Sequence, residues 1–308
     1  MTDPVSIRHF DARETAAVLG FPALVEAIAG AAVAHEDGLI CSPDRQVLTL
    51  GDGGVLLSMP ATAADVGIHK LVTVLPGNAA KGLPTIHGLV TVLDAPTGRP
   101  LCVLDGPAVT GRRTAAVSLL AIKCLLAHPP THVLLIGTGA QAAFHVAAVH
   151  ALHPHCRIWV QGRDASRVKR FCAEQAPVHA DIQPCVRSED AQRCEVVITL
   201  TTALEPVFDE VPRAGRLVIG VGAFKPTMAE IGARTLQGSA ICADDASGAR
   251  HEAGDLMRAG VDWNRVTSLG HVLRHAPDLT HPQVFKSVGS AVWDLAAGRV
   301  AVAAIGLS

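Results

Sequence analysis

The sequence predicts an α/β protein with two kinds of sheet: a doubly wound parallel sheet and, before it, an α+β region with a mostly antiparallel sheet. Three observations indicate this architecture. Short apolar runs separated by turn residues fill positions 46–104, which is typical of antiparallel strands. A glycine-rich turn follows the apolar run 132–136. Apolar strands then alternate with helical patterns up to position 243, as in a doubly wound sheet.

The chain begins with helix signals. Asp11 and Glu14 have the spacing of a capping box, and Pro22 suits the first turn of a second helix. Strands are expected next, at 46–50, 55–59, 68–75, 85–93 and 100–104. The turn residues between these runs favour antiparallel connections.

A long helix is expected from about Pro107 to about Ala127, because apolar residues recur there at helical spacing and two prolines follow it. A helix is also expected from about Ala165. The parallel strands are expected at 132–136, 157–160, 196–200, 216–221 and 240–243. The segment 285–300 predicts a further apolar run and a helix, which could return to the first domain.

Composition excludes several classes of function. The 26 basic and 28 acidic residues give a net charge of −2, so no positive field attracts nucleic acid or an anionic membrane. No apolar run reaches the ~18 residues of a membrane span, and residues 1–10 do not resemble a signal peptide. We therefore expect a cytoplasmic protein. No metal site is expected either, because the eight cysteines form no C-x-x-C pair and Pro154 interrupts the one dense histidine group.

The glycine-rich turn matches the G-x-G-x-x-A pattern of dinucleotide-binding domains, with a strand before it and a helix after it. Gly137 would permit the tight turn, Gly139 would let a pyrophosphate approach the backbone, and Ala142 would let the helix pack closely on the strand. The N–H groups of the helix N-terminus would then face the phosphates. An ordinary strand-to-helix turn is the alternative. The pattern predicts a Rossmann domain with a bound dinucleotide.

The end of the second strand favours NADPH over NADH, although NADH stays possible. An NAD-binding domain usually carries an acidic residue about 20 residues past the glycines, and this chain has Gln161 there. Arg163 and Arg167 offer cations for a 2′-phosphate; solvated surface arginines are the alternative. The residues expected to bind the cofactor are Gly137, Thr138, Gly139, Ala140, Gln141, Gly162, Arg163, Arg167, Thr201, Val221, Gly222 and Ser287.

Several motifs, in a fixed order, are similar to one known family. They are His69-Lys70-Leu71-Val72-Thr73 with Pro76-Gly77-Asn78, Leu83-Pro84-Thr85, Arg113-Thr114-Ala115-Ala116, the glycine turn, and Phe285-Lys286-Ser287-Val288-Gly289. Over nearly its whole length the chain resembles the ornithine cyclodeaminase/mu-crystallin family. The resemblance implies a substrate-binding and dimerisation domain of residues 1–118 with 290–308, a Rossmann domain of residues 119–289, and a homodimer.

The resemblance also assigns a substrate carboxylate to Arg45, Lys70 and Arg113. The chemistry agrees, because guanidinium groups bind carboxylates in a bidentate manner and a lysine adds a point charge. Thr85 is expected to donate a hydrogen bond to the substrate, with a structural hydroxyl as the alternative. The proton donor is expected to be Lys70 or, second, His87, for which a core or interface histidine is the alternative.

Two carboxylates of the cyclodeaminases have no counterpart here. Phe224 aligns with the aspartate that follows a late Rossmann strand, and Leu57 lies where a glutamate precedes the Met-Pro pair. Deamination of a cationic diamine needs an anion and a base, so ornithine cyclodeamination is disfavoured.

The resemblance instead favours the branch that reduces cyclic ketimine carboxylates. The expected substrates are delta-1-pyrroline-2-carboxylate and delta-1-piperideine-2-carboxylate, and the products are L-proline and L-pipecolate. One alternative is a cyclodeaminase or amino-acid dehydrogenase whose acid lies elsewhere in the chain. Another is an NADPH-dependent small-molecule binding protein of the mu-crystallin type.

Overall fold

The structure is a computed structural model that describes residues 7–51 and 53–307. The chain divides into two compact units. One unit comprises the chain up to Arg113 together with the segment from Ser290 onward, and the other comprises Thr114–Gly289. The two predicted sheets therefore belong to separate units.

The described part of the first unit contains one mixed sheet and the helices before it. Its strands are β1 (Arg8–Phe10), β2 (Gln46–Leu50), β3 (Gly54–Thr62), β4 (Val66–Val74), β5 (Ile86–Asp94) and β6 (Pro100–Asp105), and its first helices are α1 (Ala12–Val18), α2 (Phe21–Glu36) and α3 (Gly106–Leu125), which crosses into the second unit. The strand order is β1-β6-β5-β4-β3-β2, with every pair antiparallel except β1 and β6. The mostly antiparallel sheet is confirmed.

Local sequence signals account for the helix starts in this unit. The Asp11 carboxylate accepts a hydrogen bond from the Glu14 N–H at 2.8 Å, and the Glu14 side chain accepts from the Asp11 N–H at 3.1 Å. The predicted capping box is therefore present. Pro22 lies in the first turn of α2, where its missing N–H costs no hydrogen bond.

The second unit is built on a parallel sheet. Its described strands are β7 (His132–Ile136), β8 (Arg157–Gln161), β9 (Ile182–Pro184), β10 (Val196–Thr199), β11 (Leu217–Gly220), β12 (Ala240–Ala243), β13 (Val266–Ser268) and β14 (Gln283–Lys286), and its helices are α4 (Ala140–Leu152), α5 (Ala165–Gln175), α6 (Ser188–Arg193), α7 (Ala233–Gln237), α8 (Ala246–Glu252), α9 (Gly254–Ala259) and α10 (Leu269–Arg274). The strand order is β13-β12-β14-β11-β10-β7-β8-β9, all parallel. The doubly wound fold is confirmed.

The order of these strands reverses between β7 and β10. In doubly wound sheets, ligands bind at such a switch point, in the crevice outside the carboxyl ends of the strands. The glycine turn follows β7 and therefore lies at this point.

The last helix, α11 (Ala291–Ile305), belongs to the first unit, where it packs on α2 and β4. The predicted apolar segment 285–300 consists of the end of β14 followed by α11. The two elements are separated at Gly289, whose φ is +83°, and the Ser290 side chain caps the start of the helix. Across the described ranges, no single helix has the length and apolar character of a membrane span; only α1 and α2 taken together reach it, and they are bent by 71°.

Candidate active site

The first unit gathers three of the predicted substrate residues around one point. Lys70 lies on β4, and its side chain is only 3% exposed. Its Nζ is 2.5 Å from Oδ2 of Asp294. The Nε of Arg113, on α3, donates to the other oxygen of that carboxylate at 3.2 Å. Lys70 and Arg113 are thus held side by side by one buried acid.

Arg45, half-buried just before β2, adds a third positive charge that acts on Lys70. Burial lowers the pKa of Lys70 to about 8; the Asp294 carboxylate opposes this fall, and the charges of Arg113 and Arg45 add to it. We call Arg45, Lys70 and Arg113 the cation cluster. Lys70 and Arg113 share the single negative charge of Asp294, so this pair of cations can bind a further anion.

Sequence reasoning missed Asp294. The residue lies on α11 in a run of buried residues and is itself fully buried. A lone acid within an apolar helix was the available signal, because a carboxylate at such a position requires a partner. Its partner Arg113 is 181 positions away in the chain, so local pattern could not identify it.

The structure does not bring His87 together with Lys70. Lys70 pairs with Val90 on β5, whereas His87 pairs with Thr73 on β4. Side chains alternate between the faces of a sheet, and the odd spacing between residues 87 and 90 places His87 and Lys70 on opposite faces. His87 is also exposed. Its role as a proton donor beside Lys70 is not supported by this placement.

Thr85 lies immediately before β5 and is half-buried, and its carbonyl accepts a hydrogen bond from the Leu75 N–H. The neighbouring turn is ordered by Asn78, whose side-chain amide donates to the carbonyl of Pro84 at 2.9 Å. The hydrogen bond from Thr85 to the substrate stays a prediction.

In the second unit, the glycine turn has the geometry of a dinucleotide cradle. Gly137 has a φ of +127°, and a Cβ there would lie 2.7 Å from the carbonyl oxygen of Leu200. Gly139 is the N-cap of α4, and a Cβ there would meet no atom within 4 Å. Gly139 and Ala140 are exposed, while Thr138 is half-buried. Ala142 is fully buried, as close packing of helix on strand requires.

An unpaired polar atom also fits a ligand at this helix N-terminus. The Oε1 of Gln141 is buried and has no hydrogen-bond partner among the described residues. Buried polar atoms normally have a partner. The open helix N-terminus and this orphaned oxygen both fit a bound dinucleotide.

The end of β8 presents two exposed arginines. The structure records no ion pair for Arg163 or Arg167 within residues 7–51 and 53–307. Asp164 caps α5, accepting from the N–H groups of Ser166 at 2.8 Å and Arg167 at 3.2 Å. Gly162 precedes them, and a Cβ there would lie 3.0 Å from Val168. Both guanidinium groups are therefore accessible to an anion.

A second buried acid that the sequence analysis missed, Glu230, joins the loops after β10 and β11. It accepts from the N–H and hydroxyl of Thr201 at 2.6 and 2.8 Å, and from the N–H of Gly222 at 2.5 Å. A Cβ on Gly222 would lie 1.9 Å from the Thr201 carbonyl oxygen. Val221 is buried and donates its N–H to Thr199. Three predicted cofactor residues thus belong to one rigid pair of loops at the switch point.

Ser287 is held inside the protein. Its hydroxyl donates to Asp244 at 2.8 Å, and the same carboxylate accepts from the N–H groups of Val288 and Gly289 at 2.9 and 3.0 Å. Burial raises the pKa of Asp244. Because the Ser287 hydroxyl donates to Asp244, it stabilises the loop that follows β14. Contact of Ser287 with a cofactor stays a prediction.

The two positions that lack the cyclodeaminase acids are also described. Leu57 is half-buried on β3, and Phe224 is 37% exposed after β11, with the Lys225 Nζ 5.8 Å from its ring centroid. Neither position offers a carboxylate.

The sequence model of the ornithine cyclodeaminase/mu-crystallin family matches residues 11–304. The chain belongs to this family. Among its relatives, it is 50% identical over 301 residues to Delta(1)-pyrroline-2-carboxylate reductase 2 of Burkholderia ambifaria, covering 98% of this chain and 97% of that protein. It is also 50% identical to the Delta(1)-pyrroline-2-carboxylate/Delta(1)-piperideine-2-carboxylate reductase of Azospirillum brasilense, with the same coverage. Ketimine reductase mu-crystallin of Mus musculus is 32% identical over 272 residues, covering 86% of this chain and 85% of that protein.

Solved structures confirm the fold of this family member. The Delta(1)-pyrroline-2-carboxylate reductase of Thermococcus litoralis, in complex with NADH and L-proline, has a TM-score of 0.88 at 23% identity over 98% of each chain. An archaeal alanine dehydrogenase dimer with bound NAD has a TM-score of 0.88 at 24% identity over 98% of this chain and 96% of that one.

Proposed function

We propose that this chain reduces a cyclic ketimine carboxylate, delta-1-pyrroline-2-carboxylate and/or delta-1-piperideine-2-carboxylate, to L-proline or L-pipecolate with a nicotinamide cofactor. The cation cluster is the observation that carries this proposal, because it offers a surplus of positive charge for one carboxylate. The names of the relatives that are half identical to the chain over nearly its whole length support the substrate class.

The chain's residues would act by binding the substrate carboxylate and supplying a proton. Arg113 offers a planar guanidinium and Lys70 a point charge. Lys70 is the proposed proton donor to the imine nitrogen, because a lysine whose pKa is about 8 is charged at neutral pH yet gives up its proton more readily than an ordinary lysine. When bound, the cofactor supplies the hydride that the C=N carbon accepts. Gly137, Gly139 and the amino end of α4 would hold it.

The test is oxidation of NADPH in the presence of delta-1-pyrroline-2-carboxylate, repeated with the six-membered homologue. We expect loss of NADPH absorbance with at least one substrate and formation of the matching L-amino acid. Absence of turnover with both would contradict the proposal. Ammonia released from ornithine in the presence of NAD, without net cofactor consumption, would instead identify a cyclodeaminase. Asp294 does not favour that reaction, because both of its oxygens are already paired with cations.

We further propose that the cofactor is NADPH, with Arg163 and Arg167 binding the 2′-phosphate. The double variant Arg163→Ser/Arg167→Ser should lower the ratio of kcat/KM for NADPH to that for NADH about 10- to 100-fold, since a hydrogen bond to a charged group contributes roughly 1.5–3 kcal/mol. Steady-state kinetics with each cofactor measures this ratio. The control is Arg170→Ser, an exposed arginine on the same helix that pairs with Glu174. An unmodified enzyme that uses NADH as well as NADPH would contradict the assignment.

We also propose a homodimer that covers the open face of the first unit's sheet. Leu48, Leu71 and Leu89 share that face and are 58%, 39% and 44% exposed. Adjacent exposed leucines are typical of an interaction surface, and the structurally similar alanine dehydrogenase is described as a dimer.

The variant Leu71→Asp/Leu89→Asp should sediment as a monomer in analytical ultracentrifugation, because burying two unpaired carboxylates in an interface is costly. Leu204→Asp, at a 60% exposed position of the second unit, should leave the sedimentation unchanged. A dimer that survives the double substitution would place the interface elsewhere.

A further inference from the structure

Asp294 is the acid that pairs with both Lys70 and Arg113. Its side chain is fully buried, Oδ2 lies 2.5 Å from the Lys70 Nζ, and Oδ1 accepts from the Arg113 Nε at 3.2 Å. Both oxygens are therefore directed at cations of the cluster. Because both carboxylate oxygens contact Lys70 and Arg113, Asp294 can affect a bound substrate only through these two side chains.

The charges around Lys70 show what this acid does. Burial, Arg113 and Arg45 all disfavour the charged ammonium, while Asp294 favours it through the negative charge of its ion pair with Nζ. Without the acid, Lys70 and Arg113 would share a largely dry environment, where like charges strongly disfavour one another. The lysine would then lose its proton first, because the pKa of a guanidinium group is much higher.

We propose that Asp294 is the positioning residue of this site: it holds Lys70 beside Arg113 and keeps Lys70 protonated, so that Lys70 can both bind the substrate carboxylate and protonate the imine nitrogen. In that step an Nζ–H bond of Lys70 breaks and its electron pair stays on Nζ. The lone pair of the imine nitrogen forms the new N–H bond, and solvent later returns a proton to Lys70. The substrate part of this inference rests on the proposed function.

A purely structural role is the competing explanation, because α11 packs across β4 and Asp294 joins these elements. The substitution Asp294→Asn separates the two roles, since the amide has nearly the same size and lacks the charge. Under a structural role the variant loses thermal stability but keeps the pH dependence of the native enzyme.

Under the positioning role, kcat/KM changes in a defined way. In the native enzyme it should fall as the pH rises through about 8, where Lys70 loses its charge. In Asp294→Asn this fall should occur at least about one pH unit lower, because an adjacent opposite charge shifts a pKa by roughly 1–3 units. At neutral pH kcat/KM should then drop about 2- to 100-fold for a shift of roughly 1–3 units, and the loss should appear in both KM and kcat, because Lys70 acts both in binding and in proton transfer. Asp294→Glu, which restores a carboxylate, should recover the native pH dependence.

A second measurement needs no substrate. The chain has only six lysines, namely Lys70, Lys81, Lys123, Lys169, Lys225 and Lys286. NMR of the full-length protein labelled only in lysine can therefore follow each side chain as the pH is raised, with Lys70 assigned from a Lys70→Arg variant. The titration midpoint of Lys70 should fall in Asp294→Asn.

Lys286 provides the matched control, because its Nζ is 3.0 Å from Asp255 and both side chains are fully buried in the second unit. Its resonance should not change in Asp294→Asn. An unchanged Lys70 midpoint together with an unchanged kcat/KM profile would overturn the inference. If the imines are not turned over but the midpoint falls, the positioning role stands and the proposed substrate is wrong.

Discussion

Replacing Arg113 with alanine is expected to lower kcat/KM for the cyclic imine by roughly 30- to 5000-fold, with most of the loss in KM. Truncating one partner of a buried, hydrogen-bonded charge pair costs about 2–5 kcal/mol, and Arg113 is both buried and bonded to Asp294. The dissociation constant of NADPH, measured by fluorescence titration without substrate, should stay nearly unchanged. Steady-state kinetics and this titration together check the prediction.

The neighbouring arginine provides a matched control. Arg112 also lies on α3, but its Nε donates to the carbonyl of Leu19 at 2.7 Å and its guanidinium stacks on Phe21 at 4.0 Å. Arg112→Ala should therefore lower the melting temperature without a specific rise in the substrate KM. Equal KM effects at both positions would contradict the assignment of Arg113, as would a comparable loss of NADPH affinity. Arg113→Lys, which keeps the charge and loses the planar fork, tests the same point if the alanine variant does not fold.

Replacing Gly139 with alanine is expected to weaken cofactor binding about 10- to 100-fold while leaving the protein folded, because a backbone hydrogen bond to a charged phosphate contributes roughly 1.5–3 kcal/mol and would be lost. The backbone of Gly139 has φ −85° and ψ −175°, which alanine adopts without strain, and the added Cβ would meet no protein atom within 4 Å. The methyl group would instead occupy the space through which a pyrophosphate approaches the backbone. Calorimetric titration with NADPH measures the change.

Gly30 is the control for this substitution, since a Cβ there also meets nothing within 4 Å. Gly30→Ala lies inside α2 and should raise stability by up to about 1 kcal/mol through helix propensity, with unchanged NADPH affinity. Gly137→Ala is a poorer test: its φ of +127° and the 2.7 Å approach to Leu200 would disturb the turn itself. Native-like NADPH affinity in a folded Gly139→Ala protein would show that the cofactor pyrophosphate does not approach the backbone at Gly139.

The predictions that depended on local pattern agree closely with the structure. The strands Gln46–Leu50, His132–Ile136 and Ala240–Ala243 have the expected bounds, and the long helix α3 differs from its expected range by only a residue or two at each end. Alternation, helical spacing and turn residues act over a few positions, so they can be read from neighbouring residues alone. The strand β1 was missed because three residues carry too little periodicity.

The predictions that depended on distant contacts agree less well. His87 was the second candidate for the proton donor after Lys70, but the register of β4 against β5 places the two side chains on opposite faces of the sheet. Glu230 was not among the predicted site residues, yet its carboxylate joins the two loops that carry Thr201 and Gly222. The partners of a buried carboxylate are determined by tertiary packing, so sequence separation does not predict which residues will pair with it.

By itself the sequence determined the two sheets, the glycine turn after β7, the family, and the identity of the three cations, because each of these depends on residue type and short-range order. Only the tertiary structure decided what surrounds those cations. It placed Asp294 beside Lys70 and Arg113 in the first unit. The physical reason is that the pKa and the charge surplus of such a site depend on burial and on distances of a few ångströms, which arise only when segments far apart in the chain pack together.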